Sequence, residues 1–331
     1  MKGIKLFCLF ALISTLFACG GLKVYVAGHT GGLDPYDNAG VSTVAEVWKD
    51  GVKTDLTGDY AVAYYVYVSD GVVYSAGEYS PDGGATYRPA VWKDGVKTDL
   101  TDTEEGWAES IYVSDGIVYV AGSYYNGSNQ VAAVWKDGVK TDLSATAGYD
   151  SEAYSVYVSG GIVYVAGYYN DGVNDIAAVW KDSVRTDLTS QDSNAWCVHV
   201  AEGRVYVAGL YNGVPAVWKD EVRTDLPTAV AGQEADTYSV FVSEGHVYVS
   251  GYYNDGSNDI AVLWTDGVRT DLTTTGTDGL ASSVYVAGGH VYVAGYYNDG
   301  TNNIAAIWKD GVKTDLGVAG KNTYAWSIFV E

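Results

Sequence analysis

Seven residues at one recurring place in the chain carry side chains suited to gripping a ligand. Each precedes a short run of a small residue (usually Ser), Val or Ile, and a ring side chain. They are Tyr64, Glu109, Tyr154, Trp196, Tyr238, Ser282 and Trp326. Five are aromatic, and another indole, Trp107, lies two residues before Glu109. Flat aromatic faces suit sugar rings and the hot spots of protein partners. The ligand-contact set is therefore Tyr64, Trp107, Glu109, Tyr154, Trp196, Tyr238 and Trp326. Glycoside hydrolysis would require a second carboxyl at a defined separation from the first. Glu109 is the only acid at the seven positions, so the set points to binding, and no catalytic residue is assigned.

Other reactive side chains have simpler readings. His29, His199, His246 and His290 fall at different places in the repeats and show no metal or triad spacing. The segments NDGVND (170–175), NDGSND (254–259) and NDGTNN (298–303) are rich in oxygen donors, but no bidentate Glu follows at calcium-loop spacing. They read as turns. The aspartates of the repeated Thr-Asp-Leu (Asp55, Asp99, Asp142, Asp187, Asp225, Asp271 and Asp315) read as structural hydrogen-bonding groups or a solvated edge. Cys197 stands where other repeats carry Ser and has no recognisable base beside it, which suits a small buried residue. No metal and no cofactor is expected.

The elements that must position these residues follow from internal repetition. An apolar run, a Trp, a turn and Thr-Asp-Leu recur seven times, with tryptophans at 48, 92, 135, 180, 218, 264 and 308. A period near 44 residues is that of a propeller blade. In one unit, alternation and turn residues predict strand A at 155–159, strand B at 162–169, strand C at 176–181 and strand D at 184–188. The chain opens at a B-type strand (22–28) and ends on an A-type strand (325–330). A closed ring accounts for this phase, because the last strand completes the first blade and no sheet edge is left open. The expected fold is all-β: a seven-bladed β-propeller over 22–331, four antiparallel strands per blade. Strand A, reached by the longest connection, should be innermost, which puts the variable positions at the mouth of the central channel.

Composition agrees. The chain holds 30 Tyr, 10 Trp and 41 Gly in 331 residues, favouring pleated sheets joined by tight turns. A formal charge of −22 repels phosphate backbones and argues against nucleic acid as a partner.

Two resemblances add to this reading. Two lysines, the apolar run 6–17 and the sequence Leu16-Phe17-Ala18-Cys19 resemble a bacterial leader ending in a lipobox. That implies a signal peptide over 1–18, a lipid on Cys19 and a short tether over 19–21. The lipid would hold the protein to a bacterial membrane, the outer membrane or cell surface rather than the inner. The blade unit is similar in architecture to kelch and galactose-oxidase-like repeats, with Ala-Gly or Ser-Gly closing strand B where kelch repeats carry Gly-Gly. Propellers of that class include binding modules and enzymes. The expected function is non-enzymatic recognition of a glycan or a protein through the face carrying the B–C and D–A loops. The alternatives are a carbohydrate-active enzyme (glycosidase or polysaccharide lyase) and a structural partner in an envelope assembly.

Overall fold

A computed structural model describes residues 21–32, 42–143, 148–228 and 232–331. The expected leader and Cys19 lie outside the described residues. Seven four-stranded antiparallel sheets form a ring. Six blades use consecutive strands, and span Ala61–Asp99, Gly106–Asp142, Ser151–Asp187, Ser193–Asp225, Ala235–Asp271 and Gly279–Asp315. The seventh takes its strand A from the end of the chain, Thr323–Val330. Its other three come from the start: Val24–Gly31, Thr43–Lys49 and Val52–Asp59. Val24 lies opposite Val330 and Thr30 opposite Thr323, and Lys23 and Glu331 exchange backbone hydrogen bonds just beyond them. The protein is thus a closed seven-bladed β-propeller. Strands A of successive blades meet around the axis, and strands D lie outermost.

The hairpins follow from their turn residues. In the C–D turn both central residues adopt positive φ, for example Asp50 at 51° and Gly51 at 77°. This is the turn whose twist matches paired strands, and Asp-Gly is its natural sequence. The Asp also ties the turn to strand B: Asp137 Oδ1 accepts from Val118 N–H at 2.9 Å, and each other blade has the same bond. Two blades depart from Asp-Gly, and force Ser183 to φ 65° and Glu221 to φ 69°.

The core lies between blades. All seven strand-C tryptophans are 0–1 % exposed. Trp180 packs with its own sheet and with Tyr119, Ala121, Ala132 and Val134 of the preceding blade. The Thr-Asp-Leu aspartates brace the outer edge. Asp187 accepts from Tyr169 Oη at 3.1 Å and pairs with Arg185, whose guanidinium lies 3.7 Å from the centre of the Tyr169 ring.

Strand A departs from the sequence expectation. It starts four residues earlier than predicted, at Ser151 rather than 155 in the third blade. A β-bulge explains the difference. Ala153 pairs with Gly167 and Ser155 with Ala166, so Tyr154 is left unpaired between them. The extra residue breaks the alternation that marks a strand. All seven blades carry this bulge, and its unpaired residue is in turn Tyr64, Glu109, Tyr154, Trp196, Tyr238, Ser282 and Trp326. Opposite the bulge the backbones approach so closely that only glycine fits. A Cβ on Gly167 would sit 2.0 Å from the Glu152 carbonyl oxygen, and the equivalent clash is 1.9–2.0 Å in every blade.

Two substitutions separate these backbone effects. Gly167→Ala should destabilise the protein by about 2 kcal/mol or more, because backbone cannot yield as a side chain can. Ser183→Gly should stabilise it by about 1 kcal/mol by relieving a non-glycine positive φ. Urea-unfolding midpoints should move in opposite directions for the two variants.

Candidate functional site

Strand A descends from the long-loop face to the tight-turn face and stacks three rings of side chains along the axis. Nearest the long loops, all seven bulge residues line one cavity of about 510 Å³. Below them come Tyr65, Ser110, Ser155, Cys197, Ser239, Ser283 and Ser327. Five of the serines link one blade to the next by accepting a neighbouring backbone N–H, as when Ser327 Oγ accepts from Val66 N–H at 2.7 Å. Cys197 keeps the link in altered form, directing its thiol to the Val240 carbonyl at 3.8 Å. Burial pushes that thiol up, away from nucleophilic use.

The third ring is an aromatic collar at the tight-turn end. Tyr67, Tyr112, Tyr157, His199, Phe241, Tyr285 and Phe329 contact one another in a closed circuit, with centroids 4.6–5.1 Å apart. None of them lines the cavity. The cavity therefore opens toward the long loops, with the serine ring as its floor and the collar beneath. Burial holds His199 low, at about 4, so it joins the collar as a neutral ring.

The wall of the cavity is aromatic and acidic. Tyr64, Tyr154, Trp196, Tyr238 and Trp326 come from bulges, and Tyr296 from strand B of the sixth blade. Trp196 stands 4.5 Å from Tyr154 and 6.4 Å from Tyr238, centre to centre. Trp326 Nε1 donates to His29 Nδ1 at 3.0 Å, and the His29 ring stacks on Tyr324 and Trp326. His29 lies fully buried within a strand, not at the start of a loop as its sequence position implied. Burial drives its pKa down to about 3, and a neutral imidazole can accept the indole bond. Trp107 shares strand A with Glu109 but does not line the cavity.

Glu109 remains the only acid at a bulge, yet the cavity holds three carboxyls. Glu152 and Asp236 enter from positions two residues before the bulges of the third and fifth blades. Sequence reasoning missed them because it assigns that stretch to the D–A connection; the signal lay in the acids two residues before Tyr154 and Tyr238. Glu152 accepts from Tyr168 Oη at 3.0 Å. Asp236 Oδ1 accepts from Trp196 Nε1 at 2.8 Å and from Thr237 N–H at 2.7 Å. Glu109 makes no such bond among the described residues. Desolvation, with Glu152 and Glu78 nearby, pushes its carboxyl up to about 8. Desolvation likewise raises Asp236 to about 7, and raises Glu152. Among the described residues no Lys, Arg or His lines the cavity.

The rim is braced. In the B–C loops, Asp171 and Asp299 accept the backbone N–H groups of their own turns. D–A residues hold the B–C loops in place: Asp278 Oδ1 accepts from Asn258 Nδ2 at 2.9 Å and from Asp259 N–H at 3.1 Å.

No protein-family model and no curated protein matches the sequence. Solved propellers do match in fold. TolB from Acinetobacter baumannii superposes with a TM-score of 0.53 at 12% identity, covering 90% of this chain and 81% of that one. An acylaminoacyl peptidase from Pyrococcus horikoshii gives 0.55 at 12% identity, and the match spans 89% of this chain but only 50% of the peptidase. The β-propeller domain of the Trilobed protease from Pyrococcus furiosus gives 0.53 at 10% identity, covering 90% and 93%. That domain is described as having an open velcro topology, whereas here backbone pairing between the two ends of the chain closes the ring. At these identities the likeness is one of fold.

The raised carboxyl of Glu109 has a measurable consequence. A group protonated more readily in the folded state than in the unfolded one favours folding at low pH. That contribution fades as pH rises from the ordinary glutamate range, near 4.5, to about 8. Glu109→Gln removes the titration. The melting temperature of the variant relative to the native protein should therefore climb between pH 5 and about 8 and level off above it. A constant difference across that range would show that Glu109 titrates normally.

Proposed function

We propose that the protein is a non-enzymatic recognition module of the bacterial envelope that receives a glycan or a protein segment in the axial cavity. One observation carries the reading. A repeated bulge delivers the most varied side chains of the repeat, five of them aromatic, into a single cavity open on the long-loop face. Its volume falls within the common range for ligand sites, about 300–1,000 Å³. The leader-like start and Cys19 would supply the membrane attachment. The first described residues reach the propeller at its tight-turn face, where Asp50 of a C–D turn accepts from Val24 N–H. A tether there leaves the cavity facing away from the membrane.

A carbohydrate-active enzyme is the second reading, favoured by the three carboxyls in one cavity. The two readings part on turnover. Incubation with polysaccharides should release no reducing or unsaturated ends. Product formation abolished by Glu109→Gln would establish the enzyme instead.

Recognition itself is testable on a glycan and extracellular-matrix array. Trp196→Ala/Trp326→Ala should weaken the binding of whichever ligand responds by about tenfold or more, since buried aromatic anchors carry most of an interface's energy. Binding that survives unchanged would move the site to the outer loops.

A further inference from the structure

We infer that the ligand of the axial cavity presents an organic ammonium group, held between the aromatic wall and the Glu109 carboxylate. This rests on the recognition reading and specifies its chemistry.

The cavity breaks the sevenfold repetition in one particular way. Five bulge positions are aromatic and two are not: Glu109 in the second blade and Ser282 in the sixth. Between them the ring runs through Tyr154, Trp196 and Tyr238 on one side and through Trp326 and Tyr64 on the other. Glu109 and Ser282 therefore stand across the axis from each other. Ser282 is fully engaged, since its hydroxyl reaches the Ala294 and Ala325 carbonyls at 3.0 and 2.6 Å. Its small side chain leaves room beside Leu280 and Tyr296.

The three carboxyls are not equivalent. Glu152 is fixed by Tyr168, and Asp236 by Trp196 and the Thr237 amide. Glu109 is half-buried in the cavity wall and lacks a hydrogen-bond donor among the described residues. A carboxylate set without a partner in a mostly aromatic wall gains from a cation beside it. No basic side chain among the described residues lines the cavity to supply one, so the counter-charge arrives with the ligand.

The wall then selects the kind of cation. Inorganic divalent ions take six to eight oxygens at short range, and this wall is mostly rings. An alkylammonium is weakly hydrated and is attracted to the faces of Trp and Tyr. Six rings and one unpartnered carboxylate line the same cavity. An anionic ligand would meet three acids and no base.

The test uses choline and its neutral carbon isostere, in which carbon replaces the quaternary nitrogen. The pair differs in charge and hardly in shape. The purified protein would be titrated with each by calorimetry at about pH 8.5, above the Glu109 titration. Choline should bind at least about tenfold tighter than the isostere, and Glu109→Gln should remove most of that advantage, a difference of one charge-assisted contact. Trp196→Phe should preserve part of choline's affinity and Trp196→Ala less, because a smaller π-face is kept in the first and lost in the second.

Equal affinity for choline and isostere, or choline affinity unchanged in Glu109→Gln, would overturn the inference. So would absence of choline binding. If an array ligand still depended on Trp196 and Trp326 in that event, the recognition reading would stand with a neutral ligand. If nothing responded to those two tryptophans, the recognition reading would fail as well.

Discussion

The close approach of strand A to strand B at each bulge governs the rest of the molecule. An inserted residue in strand A brings the carbonyl two residues before it to within 2.0 Å of where a Cβ on strand B would stand, so strand B must place glycine there. The insertion changes the pleat locally and turns one side chain per blade into the channel. Above the bulge, strand A brings Glu152, Asp236 and Leu280 to the cavity; below it, the serine ring and the collar regain strict alternation. One backbone irregularity, repeated seven times, thereby separates a variable upper channel from a more uniform lower one.

That separation answers a difficulty posed by near-identical repeats. Blades descended from one unit tend to present the same side chain seven times, which suits packing and not recognition. The tryptophans obey this logic, each buried between two sheets. So do the turn aspartates and the Thr-Asp-Leu carboxylates, whose hydrogen bonds recur from blade to blade. The bulge position can escape it because its residue is unpaired in the ladder and faces the channel. Glu109 and Ser282 stand there where the other blades carry an aromatic ring, so the sevenfold symmetry is broken at the channel wall.

The same device decides what could be read from the sequence. Repeat period, strand types and closure were legible because tryptophan spacing, Asp-Gly turns and the out-of-phase termini are local patterns. The seven bulge residues were legible as a variable position beside a constant one. The upper half of strand A was not, since the insertion at Tyr154 interrupts period-two alternation and makes Ser151–Ala153 resemble loop. Glu152 and Asp236 were lost with it, and the cavity looked less acidic than it is. The collar was missed for the opposite reason. Tyr67, Tyr112 and Tyr157 sit in regular alternation, where an aromatic residue in a strand calls for no special explanation. That seven such rings close a circuit depends on blade number and tilt, which no single repeat encodes.

The lower channel also determines how the cavity can work. The serine links and the collar tie every blade to its neighbours beneath the cavity, and the Asx turns and D–A aspartates fix the rim above it. Where the described loops are held in this way, complementarity is present beforehand and the ordering cost of binding is low. The wall has paid for this in one respect: fixed carboxyls in a desolvated space are stable mainly when protonated. A rigid cavity that stores an uncompensated carboxyl at Glu109 favours a ligand that brings the missing charge over one that merely fills the volume.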